Sequence, residues 1–359
     1  MSEFRIDPDE ARHQADAFAQ RWTQGMAALA NAGEVRIGTA PKEEIYREDK
    51  VVLYRYQPAP GVARSKVVRT PIVICYALVN RPYMMDLQED RSLIRRLLAE
   101  GVDVYLIDWG YPDGADRFLA LEDYVCGYLH HCVEAAAQHA GSEQVNLLGV
   151  CQGGTMSLCY AALHPERLRN LVTMVTPVDF HTADNMLMKW GRDLDLDTLL
   201  DASGNVPGEL LNLAFVALMP FRLTSQKYVG LLDQIDNPAA LANFLRMEHW
   251  IFDSPDQPAE MFRDFITQFV KNNGLVRGTA RIGGRSVDLK SVRLPLLNIY
   301  ATEDHLVPPS ASLPLAQLVG STDYTLAPFN GGHIGIYVSG TAQRTIPATI
   351  ADWLRARDA

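Results

Sequence analysis

Short apolar runs recur along most of the chain, and segments with helical spacing of apolar positions separate them. The runs are Val51 to Tyr56, Pro71 to Cys75, Val102 to Ile107, Val145 to Val150 and Leu171 to Val175. The helical patterns centre on residues 90–100, 121–140 and 152–163. Strands that alternate with helices indicate a parallel sheet with helical crossover connections. The pattern therefore predicts an α/β fold.

An amphipathic helix is predicted near each end of the chain. The first spans residues 8 to 32, and its apolar stripe consists of Phe18, Trp22, Met26 and Leu29. We expect this stripe to dock on the protein's own core. The helix starts with an aspartate and a proline, unlike a basic and then apolar export signal, so secretion is not expected. The final packing helix is marked by Ile346, Ile350, Trp353 and Leu354.

The strand-helix rhythm stops between Pro177 and about Ser291. We interpret residues 177–291 as an inserted lid (cap), and residues 1–176 together with 292–359 as the core domain. The lid's large apolar residues are Met186, Met188, Trp190, Phe215, Met219 and Trp250. They fit either an apolar surface offered to a ligand or the lid's own hydrophobic core. The longest apolar stretch, 210–221, is too short to span a bilayer, so no transmembrane segment is predicted. It fits a core helix or a surface that touches an oily product.

Composition narrows the function classes. The 359 residues are 48% hydrophobic and 21% charged, as in ordinary globular proteins, and the net charge of −10 argues against nucleic-acid binding. The five cysteines show no zinc-site spacing and are odd in number, which predicts a reduced, cytoplasmic protein. Four of them are expected to be small buried hydrophobes: Cys75, Cys126, Cys132 and Cys159.

The remaining cysteine has the context of a catalytic nucleophile. Cys151 lies in the sequence from Gly149 to Gly154, between an apolar run and a helical pattern. Strand, sharp turn and helix are the context of a nucleophile elbow, in which glycines avoid clashes around a strained residue. The alternative is a buried cysteine in a small-residue turn. Cysteine in place of the usual serine indicates thioester chemistry.

A cysteine nucleophile needs a base, and α/β-hydrolases supply the triad in the order nucleophile, acid, histidine. Leu294 to Tyr300 reads as a buried strand, and the loop after it contains Asp304. The next strand leads into a glycine-lined loop with His333, the expected base. Glu303 competes with Asp304 for the acid role. Two further residues, His305 and Trp250, are candidates to support the triad, and His249 could line the pocket.

The oxyanion of an acyl-transfer intermediate needs two donors. We expect the backbone N–H of Gln152 to be one, and that of Val79 or Asn80 to be the other, although Asn80 also fits a plain turn residue. Basic residues for phosphates are weakly indicated at Arg81, Lys189 and Arg192. No metal or organic cofactor is needed for this chemistry.

Several blocks of sequence resemble the polyhydroxyalkanoate synthases, in particular the short catalytic subunits of the two-component type. The blocks are Tyr76 to Leu87, Asp108 to Gly110, Gly149 to Gly154, Glu303 to Pro308 and Gly331 to His333. The resemblance implies an α/β-hydrolase fold with Cys151 as acyl-carrying nucleophile, His333 as base and Asp304 as its partner.

The same resemblance implies an acyltransferase that polymerises 3-hydroxyacyl-coenzyme A, with short chains such as 3-hydroxybutyryl expected. It also implies a noncatalytic partner subunit, a homodimer, and a cytoplasmic location at the surface of polyester granules. The alternatives are a cysteine hydrolase, either a thioesterase or dienelactone hydrolase-like, and a noncatalytic granule or scaffold protein.

Overall fold

The computed structural model describes residues 7–31, 35–221, 225–232, 234 and 236–358. Its strands, in chain order, are β1 Lys42–Glu48, β2 Val51–Tyr56, β3 Ile72–Cys75, β4 Asp86–Gln88, β5 Arg91–Ser92, β6 Val104–Asp108, β7 Val145–Val150, β8 Leu168–Met174, β9 Arg281–Ile282, β10 Arg285–Ser286, β11 Leu296–Ala301 and β12 Tyr324–Phe329. Eight of them form one sheet in the order β1-β2-β6-β3-β7-β8-β11-β12. From β6 to β12 neighbouring strands are parallel, whereas β1 and β2 are antiparallel additions. The predicted mostly parallel sheet is confirmed.

The helices of the described ranges are α1 Pro8–Asn31, α2 Leu93–Ala99, α3 Leu129–Ala140, α4 Gln152–Leu163, α5 Met186–Arg192, α6 Leu196–Ser203, α7 Gly208–Leu218, α8 Lys227–Leu232, α9 Pro238–Phe252, α10 Ala259–Phe265, α11 Gly274–Arg277, α12 Pro309–Ser312, α13 Leu315–Leu318, α14 Gly335–Val338 and α15 Gly340–Arg355. A π-helical segment, Asp123–Tyr128, precedes α3, and another, Ile266–Lys271, follows α10. Each helix within these ranges is too short or too polar to cross a membrane.

Two hydrophobic clusters pack on opposite faces of the sheet. Alternate residues of β3 divide between them, because Val73 and Cys75 point to one face and Ile72 and Ile74 to the other. The face with Val73 is covered by α3, α4 and α10, and the opposite face by α2 and α15. Helices on both faces of a parallel sheet leave the carboxyl ends of its strands open for a site.

The cysteine predictions are confirmed for three residues. Cys75, Cys132 and Cys159 are fully buried in the cluster with α3 and α4, where burial raises the pKa of each thiol. Cys126 is only partly buried. All five cysteines are free.

The first helix forms as predicted, but its stripe does not dock on the core. Asp7 caps α1 by accepting a hydrogen bond from the backbone N–H of Asp9 at 2.9 Å. Phe18, Trp22 and Met26 are 49%, 41% and 51% exposed, so the docking expectation is wrong. Helices α2 and α15 cover the sheet face that lies opposite α3 and α4, and α1 contacts α8. The side chain of Leu29 and the whole of residue 32 lie outside the described residues.

Between β8 and β11 the described residues include α5 to α11, the π-helical segment Ile266–Lys271 and the β9–β10 hairpin. We call residues 177–291 the inserted segment. Within it α7 is not a core helix, since Gly208 is its one fully buried residue and Leu213 is 66% exposed. The long apolar stretch of sequence is therefore not packed inside the protein. Its helix, α7, lines a cavity that is described below.

Candidate active site

Cys151 lies at the sharp turn between β7 and α4. Its φ of 54° and ψ of −122° fall outside the usual regions for a residue with a side chain. Gly153 makes the turn possible, because a Cβ there would meet the carbonyl oxygens of Cys75 and Tyr76, the latter at 2.6 Å. The elbow therefore packs directly against the loop that follows β3.

Asp304 and His333 come from the loops after β11 and β12. His333 donates from Nδ1 to Asp304 Oδ2 at 2.6 Å, and both residues are buried. The other carboxylate oxygen, Oδ1, accepts the backbone N–H groups of Leu306 and Val307, each at 2.9 Å. The carboxylate is thus fixed by three hydrogen bonds. Since Nδ1 is occupied, Nε2 is the nitrogen that remains to serve a nucleophile.

The electrostatics of His333 favour its protonated form. Burial alone lowers the pKa of His333, but the charges of Asp304 and Cys151, and hydrogen bonds to both, raise it overall to about 10. An imidazolium stabilised in this way is suited to hold a proton taken from the thiol. Tyr337 packs edge-on against the His333 ring with centroids 6.0 Å apart, which restricts the ring's orientation.

The loop after β3 supplies the candidate oxyanion donors. The N–H of Leu78 is occupied, because it donates to Gln152 Oε1 at 3.0 Å. In the described part of the protein, the N–H groups of Val79 and Gln152 have no hydrogen-bond acceptor. The side-chain amide of Asn80 donates to Ser254 Oγ at 2.9 Å. Val79 lines the same cavity as Cys151, whereas Asn80 does not, so of the two alternatives from the sequence the geometry favours Val79.

The structure separates the other acid and histidine candidates. Glu303 is exposed, whereas Asp304 is buried against His333, so the choice of Asp304 over Glu303 agrees with the geometry. His305 is half-buried on the same loop. His249 is mostly exposed and stacks on Tyr83 in a surface groove away from Cys151.

Trp250 contacts the loop that carries the candidate oxyanion donor Val79. Its Nε1 donates to the carbonyl oxygen of Arg81 at 2.9 Å. Arg81 itself is committed to Asp108 at 2.8 Å and to the carbonyl of Gly110 at 2.7 Å, so its expected role toward phosphates is not favoured. The other two basic candidates, Lys189 and Arg192, lie on α5.

An apolar cavity of about 620 Å³ extends from Cys151 into the inserted segment. Val79 and Gln152 line it beside Cys151, and its walls come mainly from α5, α7 and α10. Of the apolar lid residues singled out from the sequence, Met188, Trp190 and Phe215 line this cavity. Trp250 is buried elsewhere, against the core cluster with α2 and α15.

Three features of the site gave no recognisable sequence signal. Tyr337 orients the His333 ring, and the side chain of Gln152 holds the loop that carries Val79. Gln257, from the inserted segment, donates to the carbonyl of Leu78 at 3.1 Å. Within the described ranges, no group of three or more His, Cys, Asp or Glu residues is arranged to hold a metal ion.

Comparisons with known proteins agree with this geometry. Residues 70–339 match the family model for the alpha/beta hydrolase fold. Among solved structures, a monoacylglycerol lipase from Paleococcus ferrophilus is similar with a TM-score of 0.54 at 17% identity, covering 85% of this chain and 99% of that one. A thermophilic esterase from Thermogutta terrifontis gives 0.52 at 13% identity, covering 89% and 100%. These likenesses show the fold alone.

Curated relatives are far more similar in sequence. The chain is 54% identical to the poly(3-hydroxyalkanoate) polymerase subunit PhaC of Allochromatium vinosum, over 98% of this chain and 99% of that protein. It is 52% identical to the subunit of the same name from Thiocystis violacea, over 99% and 100%. The corresponding subunit of a Synechocystis strain is 49% identical, over 98% and 95%. Together with the fold, these identities show that the chain belongs to the PhaC family of poly(3-hydroxyalkanoate) polymerase subunits.

Proposed function

We propose that this chain is the catalytic subunit of a polyhydroxyalkanoate synthase, which converts 3-hydroxyacyl-coenzyme A into polyester and releases one coenzyme A per monomer. Short acyl groups such as 3-hydroxybutyryl are the proposed substrates. The observation that carries the proposal is a buried Asp304–His333 pair beside a cysteine elbow, in a chain 54% identical to a named polymerase subunit.

Before the first step His333 Nε2 has already taken the proton of the Cys151 thiol, and the resulting thiolate attacks the thioester carbonyl. The N–H groups of Val79 and Gln152 are placed to stabilise the oxyanion. The bond to the coenzyme A sulfur then breaks, and the imidazolium returns its proton to that leaving thiolate. The product is an acyl-cysteine thioester, close in energy to the thioester consumed.

In the second step a hydroxyl at the end of an acyl chain attacks an acyl thioester. His333 takes the hydroxyl proton, an ester bond forms, and the departing thiolate takes the proton back. Asp304 keeps the imidazole in the required tautomer through Nδ1. The chain grows by one monomer, and no redox or metal chemistry is needed because the thioester is already activated.

The apolar cavity supports polymerisation over hydrolysis. Its wall residues contribute few polar groups, so water is poorly held next to Cys151 while an acyl chain packs well. The cavity therefore favours attack by the chain hydroxyl over attack by water, which would end the polymer as a free acid.

The word "subunit" in the names of the relatives supports a noncatalytic partner subunit for this chain as well. We further propose a homodimer that works in the cytoplasm at the surface of polyester granules. These assembly proposals are testable by light scattering and by fluorescence microscopy of the tagged protein in granule-forming cells.

The reaction is tested with the purified chain and 3-hydroxybutyryl-coenzyme A, with and without the co-expressed partner subunit, by following free coenzyme A and turbidity together. We expect both to rise, and Cys151→Ala to lower the rate of coenzyme A release by at least about 10⁴-fold. Coenzyme A release that yields only soluble hydroxy acid would support a thioesterase instead. Unchanged function in Cys151→Ala would support a noncatalytic protein.

A further inference from the structure

One short stretch of the inserted segment holds the loop after β3. The stretch runs from Trp250 to Gln257, and the loop from Leu78 to Tyr83. The hydrogen bonds between them are Gln257 Nε2 to Leu78 O at 3.1 Å, Asn80 Nδ2 to Ser254 Oγ at 2.9 Å, Trp250 Nε1 to Arg81 O at 2.9 Å and Tyr83 Oη to Asp253 Oδ2 at 2.9 Å. Hydrogen bonds therefore join four of the loop's six residues to the inserted segment.

Residue 78 is held from two sides by glutamine amides. Its N–H donates to Gln152 Oε1 at 3.0 Å, from the elbow, and its carbonyl accepts from Gln257 Nε2 at 3.1 Å. The Leu78 carbonyl belongs to the same planar peptide group as the Val79 N–H. Fixing that carbonyl therefore fixes the direction in which the Val79 N–H points.

We propose that Gln257 is a positioning residue for the Val79 oxyanion donor, so that the inserted segment completes the catalytic site. This inference rests on the proposed function, because it assigns a role within the acylation of Cys151. Gln257 does not line the cavity and acts on the reaction through the Leu78–Val79 peptide group.

The surroundings of Gln257 support a role for its amide beyond packing. The side chain is fully buried, and in the described structure its Oε1 has no hydrogen-bond partner. Burying an unpaired acceptor is unfavourable, so an apolar residue would serve better if only volume mattered. What the amide adds is its Nε2 donor, which reaches the carbonyl oxygen of Leu78 at 3.1 Å and, at the longer distance of 3.3 Å, that of Pro255. Backbone hydrogen bonds to Val206, 2.9 Å in each direction, hold Gln257 in place.

The experiment compares two reactions of the Cys151 thiol in the full chain. Acylation by 3-hydroxybutyryl-coenzyme A passes through an oxyanion. In alkylation by iodoacetamide the thiolate displaces iodide from a saturated carbon, and no oxyanion forms. In Gln257→Met, which keeps the length but removes the donor, we expect kcat for coenzyme A release to fall about 10- to 100-fold with little change in KM. The alkylation rate should stay within about twofold of wild type.

Asn170→Leu is the matched control, because it also removes a buried amide, at the opposite end of the strands from Cys151. It should lower the thermal midpoint without the selective loss of acylation. Gln257→Asn, whose amide is one methylene too short to reach Leu78, provides a second variant if Gln257→Met folds poorly.

Equal losses of acylation and alkylation in the Gln257 variants, or acylation at the wild-type rate, would overturn the positioning role. Wild-type protein without any coenzyme A release would instead overturn the proposed function itself. The two failures are therefore distinguishable in the same set of assays.

Discussion

His333 shows how a single residue gains its chemistry from its neighbours. Burial opposes a charged imidazole, yet Asp304 and Cys151 reverse that effect. The Asp304 carboxylate can do so because Leu306 and Val307 hold its second oxygen. The loop before β12, which holds Asp304, thus determines the protonation of His333, which lies after β12.

The raised pKa of His333 also predicts how stability depends on pH. A folded-state pKa of about 10, above the ordinary 6.5, means that the protonated histidine stabilises the fold. This contribution is complete below pH 6.5 and is lost as the pH rises toward 10. In Asp304→Asn we therefore expect a loss of about 3 kcal/mol near pH 6 that shrinks steadily toward pH 10.

Urea unfolding of wild type and Asp304→Asn at pH 6, 8 and 10 measures this difference. Asp352→Asn is the control, because Asp352 pairs with Arg355 while remaining 72% exposed, and it should change stability little at any of these pH values. A loss in Asp304→Asn that is constant across the range would contradict the assignment.

At the scale of elements, α7 illustrates a helix whose apolar residues serve a cavity. Its sequence favoured a core helix, but its apolar side faces the space above Cys151. Only tertiary contacts could distinguish these outcomes, because apolar spacing is the same for a helix packed on a core and one lining a cavity.

Narrowing the cavity at α7 should therefore shorten the acyl groups that the enzyme accepts. Ala214 lines the cavity, and Ala214→Trp fills part of it. We expect kcat/KM to fall about tenfold more for 3-hydroxyhexanoyl- than for 3-hydroxybutyryl-coenzyme A. Ala202→Trp, at an exposed position of α6, should leave the ratio unchanged. Equal losses for both substrates would argue against the cavity as the acyl site.

The first helix leads to a different prediction. Because its stripe is exposed, replacing Phe18, Trp22 and Met26 one at a time by Ser should change the free energy of unfolding by no more than about 0.5 kcal/mol each. Urea titration measures this change, and Leu106→Ala, in a fully covered strand, should cost about 2–5 kcal/mol in the same assay. If a Ser substitution in the stripe lowered the free energy of unfolding as much as Leu106→Ala, the stripe would be docked on the core after all.

At the scale of the whole molecule, the sequence predicted those candidate site residues that directly follow an apolar strand. Cys151, Asp304 and His333 each follow an apolar strand, so their meeting at one edge of the sheet could be inferred without knowing the strand order. It missed β1, whose Lys, Glu and Arg residues suit an exposed edge strand but break the apolar pattern.

Sequence reasoning also had no means of finding Gln257. Its partner Leu78 is 179 residues away, and the region between β8 and β11 has no regular rhythm to fix its fold. A lone glutamine between polar and proline neighbours has no local signature, since its role exists only once two distant segments meet.

The backbone at Cys151 also limits which nucleophiles this scaffold could use. A positive φ is strongly disfavoured for side chains branched at Cβ, whereas cysteine and serine carry a single γ atom. Threonine is therefore a poor substitute, although its hydroxyl is chemically competent. At this turn, sterics therefore favour a nucleophile that is unbranched at Cβ, such as cysteine, which forms thioesters, or serine, which forms oxygen esters.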